Sequence, residues 1–599
     1  MKKILFILVL LSSIATAQTI PANLTTNWKK AGHAGTYPVN IQHLNILNFG
    51  GSGNGTTNNS TALIAAMNSL AGHAGLIEFP AGNFLFNYTI NLRDSIILRG
   101  AGPGSTTFTF NLNNAVGQCF TMWGGAVGTA SSIVSGFAKN SKNVKIASTA
   151  GYSVGDYIEI RELNGSWNTN PVYWAEYSVG QILKIDSIKN SRLYFHEKLR
   201  INFDTTLNAE VIKMNPLMSS GIECLKVVRT DGSAPSVDYG IDMNYAVNCW
   251  VSGVESDKMI GAHISIYHSS HCLISGCYLH DAYAYDGSST HGYGIILGGH
   301  ACEIKVENNI IRHLRHAIMC KEGANGNVIG YNYCVDPYRS EFPTDYGADL
   351  MCHGHYPYAN LFEGNMVQNI QLDQTYGPSG PWNTFFRNRA DGYGILMSSG
   401  SVQSDSENFV GNDITNTSPF KGNYTLTGSN HYQYGNRKQG TVIPSGTTNL
   451  STTSYYLTAS PSWWTSAAAW PTIGEPYSLS GVTIPARDRY ISGSNFTVCN
   501  SRAYRLENEN VTDNTFGKGR VNIYPVPVSD FININFNFNE SENITLEIFD
   551  LNGKAVLIQK LDLKNNHVNV RYLSVGIYAY RVLTDDKIIS YGKFLKTAE

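Results

Sequence analysis

The sequence predicts an all-β chain: a right-handed parallel β-helix, a solenoid with an N-terminal capping helix, followed by a small C-terminal β-sandwich. Three observations carry this. A block of about 23 residues recurs from Val251 onward. Its strands place apolar residues at alternate positions. Residues 520–599 leave that rhythm for short alternating strands with an Asn-Gly turn.

The repeat is read from Val251-Ser-Gly-Val254, Ile274-Ser-Gly-Cys277, Val306-Glu-Asn-Asn309, Ile329-Gly-Tyr-Asn332, Phe362-Glu-Gly-Asn365 and Phe385-Phe-Arg-Asn388. The closing residues are 23, 32, 23, 33 and 23 positions apart, and Asn412 follows after 24. One period is one coil, with a small or polar residue at its corner. A second strand aligns through Ile241/Met243, Ile264/Ile266, Ile295/Leu297, Ile318/Cys320, Leu350/Cys352 and Ile395/Met397. These pairs point inward, because side chains alternate along a strand. The outward column beside them reads Asn244, Tyr267, Gly298, Lys321, His353, Ser398. Rungs stand roughly 4.8 Å apart, so Lys321 and His353 are expected to be neighbours. The two longer spacings imply loops at 281–293 and 336–347, where a solenoid builds its sites.

Ten cysteines are present, and eight lie between Cys224 and Cys352 with no CxxC pair, which argues against a zinc ribbon. Cys320 and Cys352 fall on neighbouring inward positions, and Cys249 and Cys272 are one coil apart. Bridges and free thiols filling a narrow core both fit that spacing. The net charge of −2 offers no broad electrostatic surface for nucleic acid. Lys2, Lys3, the apolar run Ile4 to Leu11 and Ala15-Thr16-Ala17 predict a signal peptide over 1–17. No later run is apolar enough to span a bilayer, so no transmembrane segment is expected in the mature chain. The expected domains are the solenoid over 18–490, a linker over 491–519 and the C-terminal domain over 520–599.

Residues 40–110 resemble the opening of pectate-lyase-superfamily proteins. The likeness rests on Asn48-Phe-Gly-Gly-Ser-Gly-Asn-Gly-Thr-Thr57, the run Asn59 to Met67, Gly75-Leu-Ile-Glu-Phe-Pro-Ala-Gly-Asn-Phe84 and Ile97-Leu-Arg-Gly-Ala-Gly-Pro-Gly-Ser105. It implies a capping helix over 61–67 ahead of the first coils. The superfamily includes polysaccharide lyases, glycoside hydrolases, epimerases and phage tail proteins, so the likeness implies a fold more than a reaction. The stretch from Arg315 to Arg389 looks like a group of bacterial β-helix proteins. Where those carry an Asp-His-Gly turn, this chain reads Thr375-Tyr376-Gly377. The C-terminus, with Asn522-Ile-Tyr-Pro-Val-Pro527, Leu573-Ser-Val-Gly-Ile-Tyr578 and Tyr591-Gly-Lys-Phe-Leu-Lys596, is similar to the sorting domain of type IX secretion substrates. That likeness implies the type IX secretion machinery as a partner and a secreted or cell-surface location.

On such a scaffold a polysaccharide is the expected substrate. A lyase needs a base for the proton α to a uronate carboxylate and a cation for the charge that develops. A hydrolase needs two carboxyl groups. Lys321 is the candidate neutraliser, or base if its pKa is depressed; His353 is the candidate acid or base, and Arg387 an anion holder. Glu322, Asp349, His355, Tyr356, Asp373 and Trp382 are candidate substrate contacts. No dense ligand spacing assigns a metal, and calcium is the one cation the acids leave open. Three readings follow: a lyase for an acidic polysaccharide, a glycoside hydrolase, and a non-catalytic surface or adhesion protein.

Overall fold

The structure, a computed structural model, describes residues 20–33, 37–38, 41–232, 238–475, 481–499, 521–524, 528–536, 544–550, 554–561, 567–584 and 587–597. The expected signal peptide and most of the expected linker lie outside them. The chain divides into two compact units, Met1–Glu507 and Asn508–Glu599.

The first unit is built on stacked parallel strands. A 12-stranded sheet forms one side, and a 21-stranded sheet carries two further ladders. The repeat blocks fall into register in the first sheet: Val251, Ile274, Val306, Ile329, Phe362, Phe385 and Phe409 pair one after another. Identical neighbours then stack inside. Phe362, Phe385 and Phe409 lie ring on ring with centroids 4.7 and 5.2 Å apart. The closing asparagines form a buried ladder. The backbone N–H and Nδ2 of Asn309, Asn332, Asn365, Asn388 and Asn412 each donate to Oδ1 of the next asparagine, ending at Asn436. Each Nδ2 also donates to a carbonyl one coil back, such as Ile329 O for Asn365. Every corner amide group is thereby satisfied without water, as a buried turn requires.

Helix Ser60–Ser69 buries Ala62, Leu63, Ala66 and Met67 in the same core as the first coils. Nine of the ten cysteines are buried and all are free thiols. Cys320 and Cys352 are register partners, as their spacing predicts, and burial pushes both thiols up.

The structure corrects three points. First, the solenoid is not continuous over 18–490. Between coil strands Phe120–Trp123 and Gly221–Glu223 the chain builds a closed antiparallel barrel from Gly125–Ser135, Asn143–Ile146, Tyr157–Glu162, Val179–Lys189, Arg192–Phe195 and Glu210–Asn215. Its core of Ile133, Val144, Ile158, Leu183, Leu193 and Val211 is shared with Tyr358 and Ala359 of the coils. Second, the third ladder has one more rung than the sequence alignment shows. Leu350 pairs with Ile370, and Ile370 with Ile395, so Leu372 and Asp373 stand between Cys352/His353 and Met397/Ser398. Third, packed chain continues past 490. Helix Pro485–Ser492 buries Pro485 and Ala486, and Val498 N–H donates to Gly276 O at 2.8 Å.

In the second unit, two antiparallel sheets of three and four strands share one core. Ile532, Ile534 and Val568 come from the first, and Ile544, Leu546, Ile548, Val582 and Phe594 from the second.

Candidate active site beside the barrel

The third-ladder strands end in the column Tyr267, Gly298, Lys321, His353, Asp373, Ser398. Adjacency follows from the pairs Tyr267 with Gly298, Leu297 with Cys320, Cys320 with Cys352 and His353 with Asp373. His353 Nδ1 lies 2.7 Å from Asp373 Oδ2. A carboxylate only accepts, so Nδ1 donates and the lone pair falls on Nε2. Asp373 Oδ2 also accepts from Thr375 Oγ1 at 3.0 Å.

One rung away, Lys321 Nζ stands 2.7 Å from Glu322 Oε1 and over the rings of Trp174 and Tyr267, at 5.0 and 5.7 Å from their centroids. Burial opposes its charge, but Tyr267 and Glu322 outweigh burial and hold its pKa well above the ordinary lysine value. Of the two roles open to Lys321, that direction favours the cationic neutraliser over the base. The Tyr267 ring fills the space beside Gly298, where a Cβ would meet it at 2.8 Å.

The barrel supplies the wall. Its segment Tyr173–Ala175 brings Trp174 within 5.1 Å of the His355 ring and 5.8 Å of Tyr376. Tyr376 stacks on His355 at 5.1 Å and meets the His353 ring edge-on at 5.2 Å. His316 stands 6.0 Å from His353, and burial drives its pKa well below the ordinary value. Burial also lowers the pKa of His355. Three buried polar atoms around His353 have no hydrogen-bond partner: His316 Nδ1, His355 Nδ1 and Asp373 Oδ1. Buried polar atoms are normally paired with protein or water, so these three are left to water or to a bound ligand.

Other expected site residues lie elsewhere. Arg387 is 2% exposed and donates to the carbonyls of Leu450, Thr452, Ile473 and Glu475. It anchors the chain that folds back over the coils and is not available to an anionic sugar. Asp349 is buried beneath the face and accepts from the N–H groups of Gln368 and Asn369 at 2.6 and 3.0 Å. Tyr356 packs on Trp167 of the barrel at 4.8 Å, and Trp382 lies under Lys139 Nζ at 3.2 Å, so both rings serve the barrel joint rather than a sugar. Glu322, Asp349 and Asp373 are each engaged separately, by Lys321, by backbone and by His353, which does not make them a joint calcium cage. The loops at 281–293 and 336–347 join each other, through Gly287 N–H to Glu341 and Ser340 N–H to Tyr285 O. They enter the starts of the third-ladder strands, opposite the ends that carry Lys321 and His353.

Sequence reasoning had no hold on Trp174, because nothing local ties it to a coil about 180 residues downstream. Tyr267 and Tyr376 carried a signal: one stands in the outward column, the other in the turn that replaces Asp-His-Gly. A pocket of about 430 Å³ opens elsewhere, between the capping helix and the barrel root at Met67, His73, Arg93 and Trp123.

Residues 43–173 match the Rhamnogalacturonase A/epimerase, pectate lyase-like family, and residues 522–596 match the Secretion system C-terminal sorting domain. The fold is a parallel β-helix, and over residues 43–173 the chain is similar to the pectate lyase-like family. It carries a type IX secretion sorting domain, which marks it for export to the cell surface or beyond. No curated protein matches the chain. Among solved structures, the tailspike protein gp49 from Pseudomonas phage LKA1 is 13% identical, over 66% of this chain and 83% of its own, with a TM-score of 0.43. The A-module of an Azotobacter vinelandii mannuronan C-5 epimerase is 13% identical over 66% and 87%, with a TM-score of 0.33. A surface adhesin of Streptococcus pneumoniae is 11% identical over 66% and 84%, with a TM-score of 0.34. Among the described residues no helix is long and apolar enough to cross a membrane.

Proposed function

We propose that this is an exported lyase that cleaves a uronate-containing polysaccharide by β-elimination beside the barrel. The observation that carries the reading is the adjacency of a fixed cation, Lys321, and an imidazole oriented by a carboxylate, His353 with Asp373. In this reading Lys321 pairs with the uronate carboxylate and offsets the charge that builds on it as the α carbon loses its proton. His353 Nε2 takes that proton. The electron pair becomes the new carbon–carbon double bond, and the glycosidic oxygen leaves and gains a proton from solvent. Trp174 and Tyr376 offer ring faces to the sugar. Glu322 and Asp373 each hold a basic partner, which favours elimination over a hydrolase that needs two carboxyls facing the bond.

The test is a screen of the purified chain against pectate, alginate, ulvan, glycosaminoglycans and neutral polysaccharides. Ultraviolet absorbance of the unsaturated product and reducing ends are followed together. Their joint rise supports elimination; reducing ends alone favour the hydrolase. Binding without either product makes the chain a carbohydrate-binding surface protein.

A further inference from the structure

Barrel and coils meet at three side chains that converge on one point. Glu159, on barrel strand Tyr157–Glu162, places Oε1 2.7 Å from Nδ1 of His268 and 2.7 Å from Nδ1 of His300. His268 and His300 sit in the turns after two successive third-ladder strands, Ala262–Tyr267 and Tyr293–Gly298.

The other nitrogen of His300, Nε2, lies 2.6 Å from Tyr177 O. A carbonyl only accepts, so Nε2 carries the proton. In the neutral ring Nδ1 is then a lone pair, and it faces a carboxylate oxygen, also a lone pair. Two acceptors that close repel unless a positive centre stands between them. Glu159 is fully buried, and its Oε2 has no hydrogen-bond partner; the Arg161 guanidinium stands 4.0 Å from it. The supporting shell is in place. Tyr177 O fixes the His300 tautomer, and Tyr245 stacks on His268 at 4.7 Å with planes 8° apart. His268, with 28% of its side chain exposed, leaves a way in from solvent.

We propose that Glu159, His268 and His300 bind a divalent transition-metal ion, zinc by the character of the donors, and that the ion clamps the barrel to the coils. Two imidazole nitrogens and one carboxylate oxygen suit zinc and its neighbours, whereas calcium and magnesium take oxygen-rich shells. Ligand atoms around tetrahedral zinc stand roughly 3.3 Å apart, so the two approaches open by about half an ångström on binding. A second cluster, Glu255, Asp257 and His280, is not a rival, since Lys226 Nζ already stands 2.8 and 3.0 Å from its two carboxylates. The clamp lies one turn from the candidate active site, because His300 N–H donates to Glu322 O at 3.0 Å. It does not depend on the lyase reading.

The experiment uses the full chain without a histidine tag, stripped with EDTA, loaded with zinc chloride and gel-filtered. About one tightly held zinc per chain is expected, with a raised thermal midpoint. Zinc affinity should fall tenfold or more in His268→Ala and in Glu159→Gln, both of which should lose the thermal shift. Cobalt(II) absorption of the unmutated chain reads the same site even if a variant fails to fold. Substoichiometric zinc, equal zinc in the variants, or no visible cobalt band overturns the proposal and leaves a proton in the gap, making the cluster an imidazolium–carboxylate pair.

Discussion

At the scale of single residues, the candidate site makes sharp demands. Asp373→Asn keeps the shape of the dyad, but its amide can present N–H to Nδ1 and favour the wrong tautomer. Elimination should fall roughly 100-fold or more, and His353→Ala should cost about 10²–10⁴ in kcat. Lys321→Ala should lose about 10²–10³ in kcat, because the charge it meets develops in the transition state. Steady-state kinetics on the best substrate of the screen checks all three; a variant that retains full kcat removes that residue from the mechanism. Asp349 makes a different prediction. Burial pushes its carboxyl up to about 7 from 3.8, against the pull of two backbone N–H groups. Between those values the folded chain keeps a proton that the unfolded chain has released. Stability from this group therefore falls as pH rises through that window, and the full penalty stands above about 7. Asp349→Asn should match the parent only below about pH 4 and exceed its thermal midpoint by about 2 °C or more near about pH 8. A variant less stable than the parent at the higher pH would mean that the two N–H groups hold the carboxylate charged.

Among the elements, the asparagine ladder governs how the coils stack. Asn365 Oδ1 accepts from both donors of Asn332, and its Nδ2 donates to Ile329 O and Asn388 Oδ1. Asn365→Ala therefore strands several buried groups at once and should cost about 3–5 kcal/mol, since each unsatisfied partner costs about 1–3 kcal/mol. Hydrogen exchange should show the loss first at the neighbouring corners, and uniform loss across the chain would contradict a local ladder. The coil spacing and the first sheet were legible in the sequence because each coil recreates the same environment, so Val251 to Asn412 repeat in spacing; the asparagine ladder and the phenylalanine stack are what the structure adds. The missing rung was not legible. Strand Met366–Asp373 serves two ladders without a break, pairing Met366 with Tyr333 and Ile370 with Leu350, so no turn residue marks the second rung. That concealed the contact of Asp373 with His353, although both residues could be named as candidates. The loop spacings were read correctly as insertions, but spacing carries no information about which end of a strand a loop covers.

For the whole molecule, the barrel is the part the sequence hid. Its strands alternate with the same period of two as the coils, and its contacts are remote in sequence: Glu159 meets His268 across 109 positions. One local mark is Asn190-Ser191, both at positive φ, closing the hairpin of Val179–Lys189 and Arg192–Phe195. The barrel can be tested as a module. Gly125 and Asn215 are register partners, so its ends already lie together. The coils pair beneath it without help, Phe120 with Ile241 and Leu217 with Ala246. Replacing residues 125–215 with a short glycine-containing turn should therefore leave a parallel-strand circular dichroism spectrum. It should also expose His300, Asn325 and Tyr358, each at most 1% exposed in the intact chain, and so lower solubility and thermal midpoint. Activity should disappear with the wall that carries Trp174. Trp174→Ala in the full chain separates the two effects: Trp174 is 43% exposed, so the midpoint should hardly move while KM rises about tenfold through lost stacking. A deletion variant that folds and keeps full activity would place the reaction on the bare coils and assign the barrel another task.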